Sequence, residues 1–228
     1  MRNSFRVFAA GAMLAGLAAT PAFAQDDMTS PWQFRLRALG VIPDSSGTTV
    51  HVAGVSALSS PNSSVSIDNT LVPEVDISYF FTRNISAELI LATTPHHVTG
   101  TGALSGLSIG KAWLLPPTIT AQYHFTDFGP FQPYVGAGVN YTLFYSQTAA
   151  NAPLGGLAVT SLHIHNAFAP ALQAGFDYML NAHWGLNVDA KKLFLAPSYT
   201  AMVNNAIGVS GTAHIDPWLV GAGITYRM

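Results

Sequence analysis

Residues 131–145 carry the clearest alternation of apolar and polar positions in the chain. Phe131, Pro133, Val135, Ala137, Val139, Tyr141, Leu143 and Tyr145 fall on odd positions and form one continuous apolar face. Gln132, Tyr134, Gly136, Gly138, Asn140, Thr142 and Phe144 fall on even positions and are small or polar for most of the length. A repeat of two belongs to an extended strand, whose successive side chains point to opposite faces. The run exceeds the about 9–11 residues with which a tilted strand crosses a bilayer. A lipid-facing apolar side over a polar interior is the pattern of a transmembrane barrel.

Seven other segments alternate in the same way, roughly 32–41, 71–81, 84–92, 116–125, 167–179, 184–194 and 215–228. The gaps between them alternate in length. Stretches 42–70, 93–115, 146–166 and 195–214 are long, whereas 82–83, 126–130 and 180–183 are short and contain residues suited to tight reversals. Long connections on one side and tight turns on the other are the mark of outer-membrane barrels. The pattern therefore predicts an all-β fold: an eight-stranded antiparallel transmembrane β-barrel, termini periplasmic, with four long outer loops. Those loops are rich in Ser, Thr, Gly and Asn, and a short helix is allowed within 103–115. Proline agrees with the register. Pro73, Pro116, Pro117, Pro133, Pro170 and Pro217 all fall near the starts of their segments, where a missing donor does least damage to a closed sheet.

Aromatic residues divide into two bands. Trp32, Phe34, Tyr79, Phe81, Tyr123, Phe125, Phe131, Tyr178, Trp184 and Tyr226 lie at the short-turn end, and Tyr141, Tyr145, Phe168 and Trp218 lie near the long-loop end. Two belts of rings are expected at two bilayer interfaces.

Composition changes the picture in one respect. Only 9% of residues are charged, against about 25% in ordinary soluble domains. The surface therefore faces something other than water. Arg2 and Arg6, the apolar run Val7–Ala19 and the small-x-small site Ala22-Phe23-Ala24 predict a signal peptide over 1–24, leaving 25–228 as the barrel. The formal charge of −2 becomes −4 when those two arginines are removed, and nothing basic points to nucleic acid. The sequence contains no cysteine, so an exported fold must hold without disulfides. A closed barrel does so by satisfying its backbone internally.

The inward register contains two kinds of residue. Toward the short-turn end it carries Arg35, Arg37, Glu74, Asp76, Glu88, His124, Asp177, Asp189, Lys191 and Arg227, with Gln122, Asn140, Gln173 and Asn187 among them. Four basic groups face five acidic ones, and an eight-stranded interior is just wide enough for side chains to fill. This predicts an ion-paired plug, which argues against a general porin. Toward the long loops the same register carries Leu39, Val41, Val72, Ile90, Phe144, Leu193 and Leu219, with Ala92, Ala169 and Ala171. That predicts an apolar cup open to the outside, suited to a small hydrophobic molecule.

Catalytic chemistry finds little support. His96-His97 and His163-Ile164-His165 are loop pairs without further ligands, so no metal and no cofactor are expected. The lipid A deacylase barrels use a His-x-Ser-Asn motif, and here no histidine is followed two residues later by serine. No catalytic residue is assigned.

Trp32-Gln33-Phe34-Arg35-Leu36-Arg37, Leu114-Leu115-Pro116-Pro117-Thr118, Gln122-Tyr123-His124-Phe125, Pro133 to Tyr141, Gln173 to Tyr178 and Trp184 to Asp189 together resemble the outer membrane protein W family of small eight-stranded barrels. The resemblance implies a hydrophobic outer channel that takes up small apolar molecules and releases them through the barrel wall. Some relatives in that family bind phage or bacteriocins at their outer loops. A surface barrel whose loops bind a phage, bacteriocin or host factor without transport is accordingly the alternative, and a narrow ion-conducting pore is a third. Expected partners are the bilayer with its lipopolysaccharide, small hydrophobic molecules and the barrel-insertion machinery, for a monomeric protein of the cell outer membrane. The chain departs from the family in ending on Met228 where an aromatic residue is usual.

Overall fold

A computed structural model describes residues 30–228. The expected signal peptide at 1–24 lies outside the described residues. Fifteen strands follow in chain order. Strands β1 (Trp32–Ile42), β2 (His51–Val52), β3 (Ser63–Ile67), β4 (Thr70–Phe80) and β5 (Ile85–Ala92) come first. Next are β6 (Thr94–Gly102), β7 (Ser108–Leu115), β8 (Thr118–His124), β9 (Phe131–Ala149) and β10 (Val159–Ile164). The last are β11 (Ala167–Met179), β12 (Trp184–Leu193), β13 (Ser198–Val203), β14 (Ile207–Thr212) and β15 (Trp218–Arg227).

Eight of them close a barrel in the order β11-β12-β15-β1-β4-β5-β8-β9, with β9 pairing back onto β11. Every ladder is antiparallel, and the seam between the first and last strands runs from Gln33 opposite Arg227 to Ile42 opposite Trp218. Alternation is clearest in β1, where Gln33, Arg35, Arg37 and Leu39 are buried while Trp32, Phe34 and Leu36 are exposed. Leu71, Val75, Ile119, Val135, Val139, Leu172, Leu186 and Ile224 extend that exposed apolar band around the outside. In water such a surface would be untenable, whereas lipid tails cover it at no cost. Aromatic rings edge the band, with Trp32, Tyr79 and Phe81 stacked in series below and Trp113 beside Tyr145 above.

The long connections depart from expectation. They are largely strand: β6 and β7 continue β5 and β8 upward as a hairpin, β9 runs on to Ala149, and β13 and β14 form a second hairpin between β12 and β15. The helix allowed within 103–115 is absent; a turn leads there into β7, and the one helical piece among the described residues is the 3-10 turn at Ser56–Leu58. The physical reason is burial. Val50, Val52, Val65, Leu107, Val159, Ala201 and Val203 turn inward and pack together above the barrel, so main-chain pairing is extended beyond the bilayer around an apolar interior.

Candidate functional site

The interior divides into a polar floor and an apolar column. At the floor, two arginines of β1 reach across the lumen. The Arg35 guanidinium pairs with Asp177 (Nη2 to Oδ2, 2.7 Å) and with Glu88. Arg37 places Nε 2.8 Å from Glu74 and Nη2 2.6 Å from Asp76. The Lys191 ammonium bridges Glu74 at 2.9 Å and Asp189 at 2.7 Å. All eight of these charged side chains are essentially inaccessible to solvent. A buried cation without its partner would be very costly, so these residues form one mutually dependent cluster.

Neutral groups complete it. Gln122 and Gln173 donate to Glu88, Gln173 also donates to Asp189 at 2.8 Å, and Asn187 donates to Asp177 at 2.9 Å. His124 lies between the rings of Phe80 and Tyr134, with Nε2 3.1 Å from both Ser86 and Gln122. Arg227 sits at the periplasmic edge and differs from its expected role. It bonds the side-chain carbonyls of Gln33 and Gln132 and stacks on Phe80, with no carboxylate partner among the described residues, because the nearby Asp177 is already engaged by Arg35, Gln33 and Asn187.

Tyr134 is the central residue that periodicity alone passed over. Its hydroxyl donates to Asp189 at 2.9 Å and accepts from Asn187 at 3.1 Å, and Arg35 lies 5.0 Å over its ring. Its place on the inward register of 131–145 was visible from the alternation, but not the partners its hydroxyl finds across the lumen. Gly175 makes room for it: a Cβ at Gly175 would fall 2.6 Å from the Tyr134 hydroxyl.

Above the floor the wall changes character. Leu39, Val41, Val72, Phe144, Leu193 and Leu219 belong to one buried apolar cluster with Leu114, Leu195 and Ile215, and Ile90 stands on the same wall. Three adjoining chambers occupy this region. The lower encloses about 530 Å³ of free space, open mouths included, between Leu39, Ile90, Leu193 and Leu219, with Glu74 at its base. The middle, about 610 Å³, lies against Phe144, Leu114, Leu162 and Ile164. The upper, about 570 Å³, lies among Val50, Leu107, Val159 and Val203 of the extension. Neighbouring chambers share wall residues: His96, Leu114 and Ile215 below, Val65, Ile109 and Tyr199 above. They stack into one column, deeper than the cup expected from the barrel strands alone. Sixteen residues of the upper two chambers come from the outer strands, whose short alternations (Val65 and Ile67, Ala201 and Val203, Ile207 and Val209) were the available signal.

The remaining candidates stay apart. His163 and His165 stack edge to face at 4.7 Å on the outside of the extension, and His97 is paired with Asp68. Among the described residues no three His, Cys, Asp or Glu side chains gather as a metal site.

Comparison with known proteins agrees with this architecture. An uncharacterized outer-membrane protein of Sinorhizobium fredii, y4mB, is 50% identical over 224 residues, covering 96% of this chain and 91% of its own length. The dibenzothiophene metabolism operon protein DoxH of a Pseudomonas species is 31% identical over 182 residues, 78% of each chain. The crystal structure of the outer membrane protein OprG from Pseudomonas aeruginosa superposes with a TM-score of 0.77 at 26% identity, covering 87% of this chain and 96% of that one. These relatives place the barrel in the outer membrane, and the family model matches residues 30–228, the whole of the described barrel: the chain belongs to the OmpW family.

Proposed function

We propose that this barrel is a channel for uptake of small hydrophobic molecules across the outer membrane. The observation that carries the reading is a series of adjoining apolar chambers standing on a sealed, ion-paired floor. A column of aliphatic walls accepts a solute that water rejects, at roughly 25 cal/mol for each Å² of apolar surface removed from water. The floor denies that solute a path to the periplasm, since entering it would mean separating buried charges. Exit is therefore sideways. On β4, Thr70–Pro73 pairs with β1 on one side, while on the other no ladder joins it to β6. Pro73 and Pro95 flank this seam without N–H groups to close it, and Ala92 of the lower chamber lies at its foot. The seam is the assigned exit into the lipid. The name of the Pseudomonas relative refers to dibenzothiophene, an apolar tricyclic compound of the class such a column would take. In this reading the protein acts as a monomer, with the extension standing among the lipopolysaccharide and the C-terminal strand offered to the insertion machinery.

The test is uptake of a medium-chain alkane by cells with and without the protein. Uptake should rise with the protein and return to background in Phe144→Asp and Leu193→Asp, both of which should keep the heat-modifiable gel mobility of a folded barrel. No rise with folded protein in the membrane would overturn transport and turn attention to the outer surface as a receptor.

A further inference from the structure

The column has one place where apolar lining gives way to unmatched polarity. Thr94 and His96 are two residues apart on β6, so their side chains share its inward face, and both are buried on the wall of the lower chamber. The Nδ1 of His96 lies 2.9 Å from the main-chain oxygen of Asp68. A carbonyl oxygen only accepts, so Nδ1 holds the proton and donates it. In a neutral ring this leaves Nε2 with a lone pair. Neither His96 Nε2 nor the Thr94 hydroxyl has a hydrogen-bond partner among the described residues. The nearby Thr118 and Thr142 hydroxyls, by contrast, already donate to Pro116 and Asn140. Burial keeps the ring neutral, holding its pKa below the ordinary 6.5 in spite of the Asp68 carboxylate behind it. On β6, Pro95 stands opposite Trp113 of the upper aromatic belt, so His96 lies just past it, at the outer edge of the membrane-spanning wall.

An acceptor and a hydroxyl side by side in an apolar chamber match one ligand group best. A hydroxyl donates to Nε2 and accepts from Thr94 at once. A carboxylate could accept from Thr94 but cannot donate to Nε2, and it would stand in the same chamber as Glu74. A pure hydrocarbon fits the walls but leaves the pair unmatched. We propose that the Thr94–His96 pair makes the lower chamber selective for apolar molecules carrying a single neutral hydroxyl, that is, hydrophobic alcohols and phenols. This rests on the column being a solute path and adds the class of solute it favours. The pair also adjoins the β4–β6 seam, so a hydroxyl docked there is held at the exit.

The experiment compares two probes of nearly equal shape, 1-naphthol and 1-methylnaphthalene, by equilibrium partitioning into lipid nanodiscs containing the protein, each corrected by empty nanodiscs. Two hydrogen bonds of ordinary strength predict a preference for the naphthol of about thirtyfold. Thr94→Val removes the hydroxyl at constant shape and should reduce that preference severalfold; His96→Phe should remove most of it. Both variants should keep the methylnaphthalene affinity, which also reports that the chamber is intact. Equal binding of the two probes by the native protein, or a preference that survives both variants, would overturn the selectivity and leave the channel standing. Failure of both probes to bind would overturn the channel reading and the selectivity together.

Discussion

Replacing Arg37 by methionine tests the floor most directly. The side chain is fully buried, and its guanidinium places Nε 2.8 Å from Glu74, Nη2 2.6 Å from Asp76 and Nη1 2.8 Å from Asn187. Removing one partner of a buried ion pair costs about 3–5 kcal/mol, because the other charge is left stranded. Two of the neighbouring carboxylates have relief: Glu74 keeps Lys191 at 2.9 Å, and Asp189 keeps it at 2.7 Å. Asp76 has no other ion-pair partner among the described residues. The loss should therefore fall at the upper end, about 5 kcal/mol, with Asp76 responsible for much of it. In urea, with m of about 3 kcal/mol per M, the unfolding midpoint would drop by on the order of 1.5 M. The assay is urea unfolding of the lipid-embedded barrel, followed by tryptophan fluorescence and heat-modifiable mobility. Adding Asp76→Asn to the Arg37→Met protein should recover about 2 kcal/mol, since the stranded charge is neutralised. A loss below about 1 kcal/mol, or no recovery in the double variant, would refute the view that the floor is a set of mutually dependent charges.

Further predictions follow from the same geometry. Tyr134→Phe removes a hydroxyl that serves Asp189 and Asn187 and should cost about 1–3 kcal/mol in the same unfolding assay, with alkane uptake unchanged. Gly175→Ala places a Cβ 2.6 Å from both the Tyr134 hydroxyl and the Val188 carbonyl oxygen; it should destabilise the barrel by about 1–3 kcal/mol, visible as a lower melting temperature. His96 gives the fold a pH dependence. Its folded pKa lies below 6.5 because burial disfavours the charged ring, so its contribution is complete above 6.5 and is lost as pH falls from there through the folded value. Thermal melts at pH 8 and pH 5 should show a smaller drop for His96→Phe than for the native protein, and equal drops would remove His96 as the cause. A planar bilayer containing the native protein should carry no steady ionic current, because the floor is packed; a stable charge-selective conductance would refute the sealed floor.

How much of this was legible beforehand differs by layer. Strand by strand, the period of two located the eight barrel strands to within a few residues. It also fixed which face each side chain takes, because a strand offers only two faces and lipid accepts only one of them. That is why Arg35, Arg37, Glu74, Asp76, Glu88 and Lys191 could be assigned to the lumen, and Leu39, Ile90 and Leu193 to the wall above them. The outer strands were less legible. Their apolar alternations are two or three residues long and interrupted by Gly, Ser and Asn, too short to outweigh a loop reading. They are strands because barrel ladders already in register continue upward and give each short apolar run a partner across the interior.

Periodicity can place a residue on a face but cannot say what stands opposite it. Only closure of the barrel brings Arg35 to Asp177, 142 positions away, and Arg37 to Asn187, 150 away. Closure likewise puts Tyr134 against Gly175, and leaves Arg227 among amides instead of carboxylates. The same holds for the unmatched pair on β6: the sequence shows a threonine and a histidine two residues apart in a connection, and nothing local distinguishes them from the exposed pair at His163 and His165. Their isolation in an apolar chamber comes from the outer hairpins folding over the barrel mouth. Sequence by itself determined the fold class, the register and the division into polar and apolar layers, since these depend on each strand's own two faces. Tertiary structure decided the partners, the depth of the column and the position of the seam, since these depend on which strands meet.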